Sequence, residues 1–338
     1  MEEYFKLQQK IAPELIEVIE YRYAILRSVY RFQPIGRRSL AQNLDLSERT
    51  VRRHIKFLEE QNFLKATSAG SKITNRGQRI LKGLDGYIKQ LRGTSDLEKK
   101  LSDLLNIDVY VVPSGLNYEQ SKKELGRFAA IFIKDLISDE DIIAVTGGTT
   151  LATVAEMMNR EQKRKDVTVI PARGGLGEGV EIQSNTITAK IANKLGGRYK
   201  LLHIPDNLKQ ETIFQLVEEK SIKEVLGLAR QADVLIHGIG TAEVMAKRRK
   251  LPAEKIKKLK QRKAVGESFG YYFNHHGDIV YSTPSVGLKL SDLDRVNKVI
   301  AIAGGKSKAE SILAVVSAGY QDILLTDEEA GKAILEEL

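Results

Sequence analysis

The chain has 338 residues, 42% hydrophobic and 29% charged, with no cysteine and a formal net charge of +9. The length is enough for two domains, and the lack of cysteine excludes disulfides, thiolate metal sites and cysteine nucleophiles. No apolar run approaches the roughly 20 residues needed to cross a bilayer, and Met1-Glu2-Glu3-Tyr4-Phe5-Lys6 is not a secretory leader, so a cytoplasmic protein without a membrane partner is expected.

The charge is concentrated. Residues 1–95 hold 18 Lys/Arg against 10 Asp/Glu, whereas residues 96–338 hold 35 against 34. A basic small domain on a near-neutral large one suggests a polyanion contact confined to the N-terminus. A well-solvated helical domain with no such partner, or one that associates with protein, is the alternative.

From residue 7 to 32 the apolar positions Ile11, Leu15, Val18, Ile19, Tyr23, Ile25, Leu26 and Val29 follow a helical period, which predicts one long amphipathic helix closed by Pro34 and Gly36. Ser39 is placed to cap a short helix whose Leu40, Ala41 and Leu44 face inward. Asp45 and Leu46 form a turn, with Asp45 where many helix-turn-helix sequences have glycine. Ser47 then caps a helix whose Val51, Ile55 and Leu58 point to the core. That spacing leaves Arg49, Thr50, Arg52, Arg53 and Lys56 on the free face. Residues 63–67 and 71–74 around Ala69-Gly70 read as a hairpin, the wing, and Thr74 or Asn75 caps a further helix. The order fits a winged helix-turn-helix over residues 1–93, with a recognition helix for the major groove. The DNA-contact candidates are Arg37, Arg38, Ser47, Arg49, Thr50, Arg52, Arg53, Lys56 and Lys72. Arginine suits them because its planar fork bonds phosphate or guanine.

Residues 94–338 alternate short apolar runs (109–112, 142–145, 167–170, 201–204, 234–236, 299–302, 323–325) with helical segments. This is the pattern of a doubly wound, mostly parallel α/β sheet, and Tyr271–Phe273 with Ile279–Tyr281 around Gly277 are expected as a hairpin added to it. Four strand ends are glycine-rich: Thr146-Gly147-Gly148-Thr149-Thr150, Ala172-Arg173-Gly174-Gly175, His237-Gly238-Ile239-Gly240 and Ala303-Gly304-Gly305 before Lys306-Ser307-Lys308. Each alone is more often a tight connection. Four on one sheet edge, with cations among them, favour an anionic small-molecule site. The Lys-Ser/Thr pair of a Walker loop is missing, and the five histidines show no metal-ligand spacing. The run 247–263, ten basic residues and one acid, reads for the most part as a solvated loop and helix, with Arg248 or Arg249 in reach of a phosphate.

The motifs span nearly the whole length, and Pro171-Ala172-Arg173-Gly174-Gly175-Leu176-Gly177-Glu178 is the most specific of them. In these, in Pro34-Ile35-Gly36-Arg37-Arg38-Ser39-Leu40 and in Phe269-Gly270-Tyr271-Tyr272-Phe273-Asn274, the chain resembles the SorC/DeoR-type repressors of glycolytic genes. The resemblance implies an effector and oligomerisation domain similar to sugar-phosphate isomerases and deaminases but without catalysis or cofactor. It also implies fructose-1,6-bisphosphate as effector, a homodimer or homotetramer on double-stranded operator DNA, and an operon headed by a glyceraldehyde-3-phosphate dehydrogenase gene. Matched motif by motif, it places effector contacts on Gly147, Gly148, Thr149, Thr150, Arg173, Gln183, Arg248, Glu267 and Lys308. Arg173, Arg248 and Lys308 would supply charge, while Gln183 and Glu267 would bond hydroxyls. An isomerase or deaminase carrying a DNA-binding domain is the competing reading, with Glu267 as the one conceivable base.

Overall fold

The computed structural model describes residues 11–44, 46–92, 94–115, 117–158, 166–175, 179–204, 210–284 and 286–338. Asp45, Leu176, Gly177 and Glu178 lie outside them, as do residues 7–10. The chain divides into two compact units between Asp96 and Leu97.

In the first unit, α1 (Pro13–Phe32) starts at a proline whose missing N–H costs nothing in a first turn. Ala12 is non-helical (φ −148°, ψ 62°), so the expected continuous helix is broken there and begins at Pro13, and Ile11 and Leu15 are exposed. Next come α2 (Arg37–Leu44), α3 (Glu48–Glu60), the antiparallel pair β1 (Leu64–Thr67) and β2 (Gly70–Ile73), and α4 (Asn75–Arg92). Because α2 begins at Arg37, Ser39 lies inside it and is not its cap. Leu40, Ala41, Leu44, Val51, Ile55 and Leu58 pack with Ile25, Leu26 and Val29 of α1 in one core. Thr74 stands at the head of α4, its hydroxyl accepting from Gly77 N–H (3.0 Å) and donating to Asn62 O (2.7 Å). A bridge from Ile35 to Ser71 ties the hairpin down. There Gly70 is required, since a Cβ would fall 2.5 Å from the Ile35 carbonyl.

The second unit opens with α5 (Thr94–Leu105), whose first turn straddles the division, then β3 (Asp108–Val112), α6 (Tyr118–Leu136), β4 (Ile142–Val145), α7 (Thr149–Met157), β5 (Thr168–Pro171), α8 (Ser184–Leu195) and β6 (Arg198–Tyr199). It continues through α9 (Gln210–Val217), α10 (Lys220–Ala229), β7 (Val234–Gly238), β8 (Gly240–Thr241), α11 (Ala242–Arg248), α12 (Ala253–Gln261), β9 (Ala264–Ser268), β10 (Tyr271–Asn274), β11 (Ile279–Ser282), β12 (Lys298–Ile302), α13 (Ala309–Ser317), β13 (Ile323–Asp327) and α14 (Glu328–Glu337). The parallel sheet runs β3-β13-β12-β7-β4-β5-β6. Its residues alternate between two cores: Ala144, Ile170, Leu235, Ala301 and Leu324 face one side, and Ile143, Val169, Ile236, Ile300 and Leu325 the other.

Two expectations are corrected here. Residues 201–204 are not a strand. The backbone of Leu202 bonds both ways to the Asn185 side-chain amide (3.0 and 3.1 Å), which withdraws it from any ladder, and the edge strand is the two-residue β6. The hairpin β10–β11 does not extend the parallel sheet either. It forms a separate four-stranded sheet, β11-β10-β9-β8. Gly266 of β9 lets that sheet lie directly on α13, where a Cβ would meet Ser311 O at 2.8 Å, and Ser311 Oγ donates to Val265 O.

Candidate functional site

Strand order sets where a ligand can enter. From β4 the chain winds to β5 on one side, and from β7 it winds to β12 on the other. A crevice therefore opens between the carboxyl ends of β4 and β7, the usual binding place on such sheets. There lies a cleft of about 270 Å³. All nine residues singled out from the sequence line it: Gly147, Gly148, Thr149, Thr150, Arg173, Gln183, Arg248, Glu267 and Lys308.

The loop after β4 is shaped by its glycines. Gly148 has φ +125° and ψ 159°, a backbone region open only to glycine, and it is the N-cap of α7. A Cβ on Gly147 would fall 2.7 Å from Ile182 O, to which Gly148 N–H donates at 2.9 Å. That bond occupies the Gly148 donor, so the first-turn N–H groups of α7 and the Thr149 and Thr150 hydroxyls are what the loop presents to an anion. Gln183 is the N-cap residue of α8, and its side-chain oxygen lies over Gly175.

Arg173 is held on both flanks. Gly174 N–H donates to Val286 O, Leu288 N–H to Ala172 O, and Ser184 Oγ to Arg173 O. Its side chain is 5% exposed and lies against Gly270 (φ +77°), where any Cβ would overlap the guanidinium. Beside it Arg249 Nη2 and Glu267 Oε1 form an ion pair at 2.8 Å, and the same oxygen accepts from Gly270 N–H at 2.5 Å. Glu267 was expected to meet a sugar hydroxyl; one of its oxygens is committed to protein groups. Opposite, burial pushes the Lys308 ammonium down to about 8, with Arg248 and Lys122 adding repulsion and Asp327 opposing it. A buried ammonium with other cations beside it is what an anion would relieve. Behind the cleft His237 is fully buried, its Nδ1 2.9 Å from Ser268 Oγ, and desolvation pushes it down to about 4, so it is neutral at pH 7.

The sequence offered Arg249 only as an alternative to Arg248 and did not point to Tyr118, Ser184 or Thr241, which also line the cleft. Tyr118 is brought in by long-range packing: its ring meets Gly305, which has φ +95°. No local pattern announces that contact.

In the first unit Ser47 caps α3, its Oγ accepting from Thr50 N–H (3.1 Å) and lying 2.8 Å from the Thr50 hydroxyl. Arg37, Arg38, Arg49, Arg52, Arg53, Lys56 and Lys72 are exposed and Thr50 is half-buried. Arg38 is 3.6 Å from Glu48 and Lys56 3.9 Å from Glu60, both exposed pairs of little strength. The sequence missed two features. His54 is buried in the core, and burial with Arg53 and Arg22 nearby lowers its pKa. Lys65 sits directly across the hairpin from Lys72, a like-charge pair that costs stability unless an anion lies against it.

Residues 89–336 match the family profile of a sugar-binding domain and residues 18–88 that of the CggR N-terminal DNA binding domain. The chain is 44% identical to the central glycolytic genes regulator of Priestia megaterium, over 100% of this chain and 99% of that one. It is 43% identical to the regulator of the same name from Bacillus subtilis, over the full length of both. A solved chain described as a SorC family transcriptional regulator from Enterococcus faecalis matches 71% of this chain and 99% of its own, with 41% identity and a TM-score of 0.67. The full-length sorbitol operon regulator SorC from Klebsiella pneumoniae, at 18% identity, shares the fold over 96% of this chain with a TM-score of 0.65. A DNA-binding domain thus precedes a sugar-binding one along a single chain. The protein belongs to the SorC-type family of sugar-binding transcriptional regulators that includes the central glycolytic genes regulators.

Proposed function

We propose that the protein is a cytoplasmic repressor of a glycolytic operon headed by a glyceraldehyde-3-phosphate dehydrogenase gene, released from its operator by fructose-1,6-bisphosphate. The observation that carries this reading is the placement of cations at both ends of one cleft. Arg173 follows β5 and Lys308 follows β12, three strand positions apart. At about 4.8 Å per strand the two strands from which they depart stand about 14 Å apart along the sheet edge. Between them lie the N-terminus of α7 and the Thr149 and Thr150 hydroxyls. A ligand that bridges such poles carries an anionic group at each end and hydroxyls between, as a sugar bisphosphate does.

The first unit reads as a winged helix-turn-helix, with α3 in the major groove and the β1–β2 hairpin as wing. The regulator binds a palindromic or repeated operator as a homodimer or homotetramer. The bisphosphate weakens that grip by favouring the state with lower operator affinity, a coupling of about 1–3 kcal/mol on the usual scale. The domain is a receptor without cofactor or catalysis. Among the described residues that line the cleft, Glu267 is the only carboxylate, and the Arg249 pair and Gly270 N–H occupy one of its oxygens.

Titration of the protein with fructose-1,6-bisphosphate, fructose-6-phosphate and glucose-6-phosphate, followed by melting temperature and calorimetry, tests the reading. The bisphosphate should stabilise by about 2.7 kcal/mol at 100 times its Kd and should lower operator affinity in a parallel titration. No heat with any phosphorylated sugar, operator affinity constant at saturation, or sustained turnover of the sugar would each reject it.

A further inference from the structure

We propose that residues 247–263 of the second unit form another surface for duplex DNA, one that takes phosphates without reading bases. The near-neutral balance of this unit hides a strong segregation. Residues 247–263 hold ten Lys/Arg and one Asp/Glu, which leaves 25 against 33 for the rest of residues 96–338. The fold keeps eight of those ten cations on the outside, while Arg248 and Arg249 line the cleft. Along α12, Leu259 is buried and Ile256 half-buried, while Lys255, Lys257, Lys258 and Lys260 are exposed, as are Lys247, Lys250, Arg262 and Lys263 in the flanking turns.

Little neutralises them. Lys247 pairs with Glu243 at 2.7 Å, Arg262 donates to Val280 O, and Lys255 lies over the Tyr281 ring at 5.3 Å. Among the described residues no carboxylate comes within ion-pairing distance of Lys250, Lys257, Lys258 or Lys263. Lys250 and Lys263, on either side of α12, adopt left-handed backbone (φ +50° and +53°). Glycine or asparagine is the usual choice there, so cations stand where neutral residues would fit more easily.

The chemistry of the patch selects its occupant. No large hydrophobic side chain of residues 247–263 is exposed, whereas protein interfaces draw their energy from aromatic and aliphatic anchors and membrane-surface helices insert them. A strip of cations without anchors matches a repeating array of phosphates. A DNA-binding domain already stands on the same chain, so a second contact with the same polyanion gains from high effective concentration.

The test compares the full chain with Lys257→Gln/Lys258→Gln/Lys263→Gln. Fluorescence anisotropy would follow binding to a random-sequence duplex several helical turns long, across a salt series. The triple variant should bind more weakly at low salt, and its log-affinity against log-salt slope should shrink by about 0.9 for each phosphate no longer neutralised. Arginine at the same three positions should restore both. All three side chains are exposed, so an unchanged melting temperature is expected. Unchanged affinity and slope would overturn the proposal. So would an unchanged DNA titration with an altered sedimentation profile, which would assign the strip to a second copy of the chain. No sugar phosphate enters these measurements, so their failure leaves the reading of the cleft untouched.

Discussion

The outer face of α3 and the cleft at the sheet edge both carry arginines, in opposite surroundings. Arg49, Arg52 and Arg53 stand in water, where ions screen them and each contact adds a little. Arg173 and Arg249 are 5% and 4% exposed, fixed by backbone bonds, by Gly270 and by Glu267. An exposed cation can slide along a polyanion, while a buried one waits for a single group in a single place. The first arrangement suits a long uniform partner, the second a small ligand that must be told from its relatives.

The contrast is sharpest in the ion pairs. Glu267→Gln leaves the Arg249 charge buried and half-compensated, and should cost about 3–5 kcal/mol of stability, read as a large drop in melting temperature. Removing the exposed partner Arg38, 91% exposed in its pair with Glu48, should cost no more than about 0.5 kcal/mol. Similar losses for the two would erase the distinction.

Next in size, Arg173→Met should lower sugar-bisphosphate affinity at least about 100-fold, near 3 kcal/mol, since it removes one partner of a buried charge pair. Calorimetry measures this, and operator binding should hardly change. Arg52→Ala/Arg53→Ala should do the reverse, weakening operator binding and reducing its salt slope by about 2 while sugar binding stays constant. Loss of both activities in either variant would indicate misfolding instead.

The smallest effect is in pH. Lys308 is held down to about 8, so it is charged below that value and neutral above it. A bound phosphate favours the charged form. Affinity for the bisphosphate should therefore fall several-fold as pH rises from about 7 to about 9, and Lys308→Met should flatten the profile. Arginine does not titrate in this window, so operator affinity should stay nearly level. A flat profile for the unaltered protein would remove Lys308 from the site.

Much of the fold and of the cleft is written in the sequence. Ser47, Val51, Ile55 and Leu58 announce α3 because capping and helical spacing act within a few residues. The glycine-rich ends of β4, β5, β7 and β12 mark the cleft because close backbone approach needs glycine wherever it occurs. His54 broke the pattern, a polar residue placed inside by the same spacing. Leu202 and Ile204 are apolar and buried yet form no strand, since Asn185, distant in sequence, takes the backbone bonds of Leu202.

Short-range forces thus specified the helices, most strands, the charge asymmetry and the residues fit to meet an anion. Packing alone decided that β4 and β7 are neighbours, that the hairpin leaves the main sheet to lie on α13, and that Glu267 holds Arg249. Those arrangements join residues far apart along the chain, where burial and hydrogen bonding choose among partners that no local period distinguishes.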